Sequence, residues 1–415
     1  MSKIDQLINE LCPNGVQFKQ LGELGTLYGG LTGKSKNDFK DGNARFITYM
    51  NVFSNIEVDT NRDYFVKIGE NERQRTLQKG DVLFTGSSEN PDECGMSSVL
   101  VKEPEEPLYL NSFCFILRLN DKELFLPEFL KYLFRDTDIR KQIAKTASGV
   151  TRFNVSKKRF AKVVVPIPPI EVQREIADIL DNFTQLEAEL EAELEARRKQ
   201  YEFYRNQLLT FGDEGGVRRT TLGEVGMFIR GNGLQKKDFT ESGVGCIHYG
   251  QIFTHYGTYA EKTKTFVSPE IAKKARKAQS GNLVIATTSE NDEDVCKAVA
   301  WLGDDEIAVS SDAMIYDHNE NPKYISYIFQ THDFFRQKKK YISGTKVRRV
   351  SSQNLAKINV ALPPRHEQDR IVSILDNFDS LVNSISDGLP AELSARRKQY
   401  EYYRTKLLKF QEVGV

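Results

Sequence analysis

The spacing of apolar residues changes along this chain in a set order, and the order occurs twice. Ile4, Leu7, Ile8 and Leu11 recur at intervals of three and four, which predicts a short amphipathic helix closed by Pro13-Asn14-Gly15. β-Branched and aromatic runs follow: Arg45 to Val52, Asp81 to Thr85 and Phe113 to Leu119 read as strands. Leu126 to Ala144, entered through a proline, reads as helical. Val163 to Pro169 (VVVPIPP) reads as a last strand, because proline breaks the ladder and presets the helix after it. Ile176, Leu180, Phe183, Leu186, Leu190, Leu194, Tyr201, Tyr204 and Leu208 are then spaced mainly by three and four, a coiled-coil seam that predicts one helix to about Leu209. About 40 residues at about 1.5 Å each reach about 58 Å, far more than packing onto one domain requires.

The second round predicts strands at Cys246 to Ile252, Asn282 to Thr287 and Ala313 to Tyr316, helical structure at Pro322 to Tyr341, and a proline-ended strand at Ile358 to Pro364 (INVALPP). Its long helix carries Ile371, Leu375, Phe378, Leu381, Ile385, Leu389, Leu393, Tyr400, Tyr403 and Leu407, with a kink expected at Asp387-Gly388-Leu389-Pro390. The two stripes are expected to pack on each other, Leu186, Leu190, Leu194, Tyr201 and Tyr204 from one helix and Leu381, Ile385, Leu389, Leu393, Tyr400 and Tyr403 from the other.

Residue identities follow the same doubling. Gly15-Val16 and Leu21-Gly22-Glu23 return as Gly216-Val217 and Leu222-Gly223-Glu224, an offset of 201. Ser88-Glu89-Asn90 pairs with Ser289-Glu290-Asn291, Ser148-Gly149 with Ser343-Gly344, Pro168-Pro169 with Pro363-Pro364, Gln173 with Gln368, and ILDNF at Ile179 with ILDNF at Ile374. Each round ends in a near copy, Ala196 to Phe211 against Ala395 to Phe410, alike at 12 of 16 positions. The interiors repeat poorly, so two domains share a scaffold while their inner surfaces differ. The boundaries read as 1–14 for an N-terminal helical segment, 15–167 and 212–362 for two α+β domains with twisted sheets, and 168–211 and 363–411 for the helices.

A length of 415 residues suits two domains plus connecting elements. No apolar run is long enough to span a membrane, and the first residues carry acids where a signal peptide would be apolar, so the expected location is the cytoplasm. Lys plus Arg (58) equals Asp plus Glu (58), yet bases gather locally at Arg152 to Arg159 and Lys346 to Arg349. Attraction to phosphate is local on the scale of a Debye length, about 8 Å, so a neutral total is compatible with a basic cleft. The five cysteines are scattered, with no CxxC pair, and read as reduced buried thiols.

Catalytic patterns fail on inspection. Gly29 to Ser35 resembles a phosphate-binding loop, but Tyr28 stands where the first glycine is needed and the second copy loses the pattern. Pro91-Asp92 lacks the acid-x-Lys that a nuclease site requires, and the five histidines form no metal spacing. No catalytic residue, metal site or bound cofactor is expected in this chain. Binding is what remains. Thr151, Arg152, Lys157 and Lys158 in the first copy and Lys346, Arg348 and Arg349 in the second sit in glycine-containing basic loops suited to phosphate contacts. Ser87, Ser88, Thr287 and Thr288, in polar loops after strands, are candidates for base edges, and Lys34, Lys236 and Lys237 complete the candidate DNA-binding set.

These features together resemble the specificity (S) subunits of type I restriction-modification systems over nearly the whole chain. The carriers are the duplicated LGE start, the PP-x3-Q-x2-I-x2-ILDNF entry to each helix, with PxPP in the first copy, and the paired ARRKQYE(F/Y)YR ends; TQL-EAEL-EAEL (Thr184 to Leu194) resembles the spacer repeat of the type IC branch. The resemblance implies two target recognition domains related by a pseudo-twofold, each reading half of an asymmetric bipartite site in double-stranded DNA. It implies two long antiparallel coiled-coil helices that set the gap and dock two methyltransferase (M) subunits, with restriction-motor (R) subunits joining through them. S-adenosylmethionine, ATP and magnesium are then expected on those partners. An orphan tandem-domain DNA-binding regulator working without methyltransferase partners is the alternative reading. Pseudo-twofold closure further predicts that the N-terminal helix lies beside the end of the last helix.

Overall fold

A computed structural model describes residues 3–212, 216–384 and 386–414. The chain divides into two compact units: one runs to Glu189 and takes up the chain again from Ser394, and the other is Leu190–Leu393. Both are α+β.

The first unit is built on a four-stranded antiparallel sheet in the order Gly25–Gly29, Cys114–Leu119, Val82–Thr85, Ser97–Val99. Its core face carries Phe84 and Phe115, Phe160 packs against both with ring centroids 4.8 to 5.3 Å apart across the three, and Phe134 stands edge-on to Phe84. The second unit repeats the order with Gly226–Arg230, Ala313–His318, Leu283–Ala286 and Ala298–Trp301, and adds Tyr259–Ala260 at the edge. The proline-ended strands form as predicted, Val164–Ile167 against Gln17–Gln20 and Asn359–Leu362 against Arg218–Thr221. Pro166 and the missing amide it brings are tolerated because that sheet has only two strands.

Two predicted strands are corrected. The ladder of Arg45 to Val52 stops at Ile47 and that of Cys246 to Ile252 at Ile247, because Thr48 and His248 cap helices Tyr49–Ser54 and Tyr249–Thr254. Thr48 accepts from the Asn51 amide and His248 from the Gly250 amide, and such capping outweighs the β-propensity of the run. The helical stretches after them are also each two helices, Pro127–Leu133 and Thr137–Ala144, then Pro322–Ile328 and His332–Lys339, restarted by Asp136 and Thr331 as N-caps.

The duplicated motifs at the helix entries are internal fasteners. Gln173 donates to the Leu124 and Pro168 carbonyls and accepts from the Leu126 amide. Gln368 donates to Glu320 and the Pro363 carbonyl and accepts from Asn321. The ILDNF aspartates receive tyrosine hydroxyls from the domain bodies, Tyr132 to Asp181 at 2.5 Å and Tyr327 to Asp376 at 2.7 Å.

The first long helix is continuous over Ile170–Leu208, 39 residues. The second is broken rather than kinked, into Arg365–Asn383 and Leu389–Leu407. Gly388 at φ +80° turns the chain, and a Cβ there would lie 2.6 Å from the Ser380 and Leu381 carbonyl oxygens. In the first unit Glu187 meets Arg397 at 2.6 Å and Phe183 stacks on Tyr403, rising numbers against falling ones, so the pair is antiparallel. Tyr400 packs on Phe183 as well. In the second unit Leu190, Leu194, Leu381, Leu389 and Leu393 share one core, and Tyr201 and Tyr204 stack on Phe378. Leu186 departs from the predicted seam: it is 45% exposed. Ile385 lies outside the described residues. The closure expected of the repeat is present, since Val16 donates to Gln411 and accepts from Val413, and Leu407 and Leu408 join Leu7, Ile8 and Cys12 in one core.

Candidate nucleic-acid interface

Two loops that the sequence presents separately form one surface in each unit. In the first, the strand Ser87–Ser88 pairs with Phe153–Val155, the second arm of the basic hairpin. Arg152 donates to Ser87 Oγ at 3.2 Å and lies 5.3 Å over the ring of Phe113, an aromatic residue 55% exposed. Tyr49 donates its hydroxyl to the Ser87 carbonyl at 2.7 Å. Lys157 and Lys158 are exposed on a single helical turn, Lys157–Phe160, capped by Ser156, and Thr151 is exposed at the hairpin tip. In the second unit Thr288–Ser289 pairs with Arg348–Arg349 in the same arrangement.

The hairpin glycines have a structural cause. Gly149 (φ +150°) and Gly344 (φ +92°) face the turn so closely that a Cβ would lie 2.0 Å from the Arg152 carbonyl oxygen and 2.1 Å from that of Val347. Turn closure therefore demands glycine at both places, whatever ligand the loop meets.

Several candidates are corrected by their surroundings. Ser87, Thr287 and Thr288 are buried, and Thr287 donates inward to the Asp312 carbonyl at 2.9 Å, so these hydroxyls do not project towards bases. Ser88 is half-buried and accepts from the Asn90 amide. Lys34 is spent on an ion pair with Glu72 at 2.5 Å, its side chain only 7% exposed. Lys34 is the main cause that holds the Glu72 carboxyl down to about 2, helped by the Gly69 amide and Gln74. The two basic hairpins share a register but carry their bases at different positions. Ser148-Gly149 aligned on Ser343-Gly344 sets Val347 opposite Arg152, and Arg348 and Arg349 opposite Phe153 and Asn154. Arg348 is tied to Asp292 at 2.8 Å and to the Gly344 carbonyl, whereas Lys346 and Arg349 are exposed. Lys236 and Lys237 are exposed on a separate turn, Lys236–Asp238.

The repeated helix ends carry a second kind of surface that the sequence reading did not resolve. Lys199, Glu202, Phe203, Asn206, Gln207 and Thr210 line a shallow groove of about 550 Å³ with His332. Lys398, Glu401, Tyr402, Thr405, Lys406 and Lys409, their counterparts one for one, line another of about 490 Å³. Phe203 is 62% exposed and Tyr402 63%.

Among the described residues no cluster of His, Cys, Asp and Glu is arranged to hold a metal, and no helix is long and apolar enough to cross a membrane. All five cysteines are buried and unpaired, and burial pushes the thiols of Cys114 and Cys296 up to about 12.

The family described as the type I restriction modification DNA specificity domain matches this chain twice, over residues 13–196 and 216–395. A putative type I restriction enzyme specificity subunit of Haemophilus influenzae is 32% identical over 305 residues, 70% of this chain and 74% of the relative. The EcoR124I/EcoR124II specificity subunit of Escherichia coli is 34% identical over 268 residues, 62% of this chain and 64% of that one. Two solved structures share the fold. One, from work on complex assembly and conformational transition of the type I R-M system, superposes with a TM-score of 0.65 at 15% identity over 96% of this chain and 98% of its own. The other, the S subunit (HsdS) from Thermoanaerobacter tengcongensis, gives 0.52 at 16% identity over 96% of both chains. The two matched domains, the sheet order they share and the fastened helices agree, and this chain belongs to the type I restriction-modification DNA specificity family, whose members recognise DNA and leave catalysis to partner subunits.

Proposed function

We propose that each unit reads one half of an asymmetric bipartite DNA site through the face that carries its basic hairpin, that the long helices set the gap between the halves, and that each repeated helix end docks one methyltransferase subunit. The observation that carries the docking is the exposed groove. Internal packing accounts for Gln173, Asp181 and Tyr201, whereas Phe203 and Tyr402 touch Tyr204 and Tyr403 edge-on and leave most of their surface in water. An exposed aromatic among charged neighbours, kept in both copies, suits the same partner bound twice. The partners would hold S-adenosylmethionine and the modified adenine, and restriction-motor subunits using ATP and magnesium would join through them, in the cytoplasm. This chain supplies the address.

Co-expression with the neighbouring methyltransferase tests the reading. The expected product is a complex of one S with two M chains that methylates adenine in a split motif; a chain that binds its DNA site alone and ignores M would refute it.

A further inference from the structure

The loop that leaves each candidate strand begins with the same three residues, Ser88-Glu89-Asn90 and Ser289-Glu290-Asn291, although the domain interiors differ. Two of the three are spent on the loop's own turns. Ser88 and Ser289 accept from the Asn90 and Asn291 amides, and Asn90 and Asn291 accept from the Asp92 and Asp294 amides. The middle residue has no such employment. Glu89 and Glu290 are exposed, and neither makes a hydrogen bond or ion pair with the described residues.

Each loop is bolted down from beneath by a cation, half-buried Arg140 in one unit and buried Lys338 in the other. In the first unit Arg140 donates to the carbonyls of Asp92 (2.9 Å), Cys94 (2.6 Å) and Gly95. In the second, Lys338, 3% exposed, donates to those of Glu293 (2.7 Å) and Val295 (2.6 Å). The two cations are not counterparts. The repeat sets Phe335 opposite Arg140 and Ile143 opposite Lys338, so the cation has moved by three residues on its helix while its task has stayed. The residue after the loop also keeps its left-handed backbone, Gly95 at φ +65° and Cys296 at φ +71°. A Cβ on Gly95 would lie 2.5 Å from Ile143 Cγ2, and where unbranched Lys338 replaces Ile143 a cysteine fits. Burial pulls both cations below their ordinary pKa, the mark of charge taken out of water.

The loops also touch the basic hairpins directly. Cys94 Sγ donates to the Phe153 carbonyl at 3.1 Å, and Asp292 pairs with Arg348. Yet they are acidic, carrying Glu89, Asp92 and Glu93 in one unit and Glu290, Asp292, Glu293 and Asp294 in the other. An exposed carboxylate repels phosphate but accepts well from an exocyclic amino group on a base edge. We infer that these loops are the base-reading segments of the two domains, with Glu89 and Glu290 each accepting from the amino group of a cytosine or adenine, and with Arg140 and Lys338 as positioning residues. The inference rests on the DNA-reading proposal above.

The test uses the full S–M complex and sequences modified bases in host DNA. The parent complex must first yield a split motif; if it yields none, the proposed function fails and the loops are not at issue. Given the motif, Glu89→Gln is expected to relax one base position in one half-site by about tenfold, and Glu290→Gln the corresponding position in the other half. Arg140→Met and Lys338→Met are expected to blur several positions of their own half-site only, with Arg140→Lys and Lys338→Arg restoring most of the preference. Thermal melting of each variant identifies any that fails to fold, and the glutamine variants, at exposed positions, stand independently of that. An unchanged motif in Glu89→Gln and Glu290→Gln, or a change that appears in the other half-site, overturns the inference.

Discussion

Phe203→Ala and Tyr402→Ala should separate partner docking from folding. Phe203 is 62% exposed and Tyr402 63%, so most of each ring is still in water. An aromatic side chain of about 200 Å² leaves about 120 Å² to be covered by a partner. At about 25 cal/mol per Å² that is worth about 3 kcal/mol, or about a hundredfold in affinity at each groove. The same exposure limits the effect on folding to about 0.5 kcal/mol. Native mass spectrometry of the variants with M, at a concentration between the two dissociation constants, is therefore expected to show one M per S for either single variant and free S for the double variant. Denaturant midpoints should stay within error of the parent. Two M chains retained at unchanged affinity would remove the grooves as docking sites. A large loss of stability would show that the rings have a structural task instead.

Inserting a further EAEL after Leu194 adds about 6 Å of helix and is expected to lengthen the gap in the recognised motif with both half-sites unchanged, as read by sequencing modified DNA; a changed half-site would refute the ruler. Arg349→Ala should weaken DNA binding evenly across sequences and lower the slope of log K against log salt by about 0.9, whereas Arg348→Ala, which also frees Asp292, should in addition lower the melting temperature. His318 supplies a pH prediction: burial pushes its imidazole down to about 4 against the pull of Glu320 and Asp317, while the unfolded chain titrates near 6.5. Below about 6.5 the unfolded state binds the proton and the folded state resists it, so stability is full above that pH and falls by an amount on the order of 3 kcal/mol as pH approaches about 4. Leu119 occupies the equivalent strand position in the first unit, and His318→Leu should flatten this acid limb in urea melts.

The duplication was legible because the residues that repeat are mostly those that fasten a helix to its domain. A glutamine that satisfies carbonyls at a helix entry and an aspartate that receives a tyrosine hydroxyl have few substitutes, so Gln173 and Gln368, Asp181 and Asp376 stay in place. Periodicity also found the long helices, since a seam needs only spacing. It misjudged Leu186, because spacing says which residues share a face and not whether anything covers that face. The strands at Arg45 and Cys246 were overextended for a related reason: a capping oxygen or ring nitrogen ends a ladder in one residue, too short a signal for a pattern of alternation.

The candidate interface was legible only as a set of pieces. Charge clustering found both basic hairpins, but Arg152 with Phe113, and the pairing of Ser87–Ser88 with Phe153–Val155, join residues far apart in the chain through ring and ladder contacts that have no local signature. Treating every exposed-looking base as a phosphate ligand failed where an acid lay near in space and not in sequence, as Glu72 does for Lys34. The loop anchors were further hidden by their movement between copies. Arg140 and Lys338 donate to equivalent carbonyls from non-equivalent positions, so aligning the repeat sets each opposite an apolar residue. A requirement met twice by different residues leaves no matching letters. What it preserves is the satisfied carbonyls and the left-handed residue after them, which is why backbone geometry, rather than identity between the copies, points to the part of each domain that must be held still.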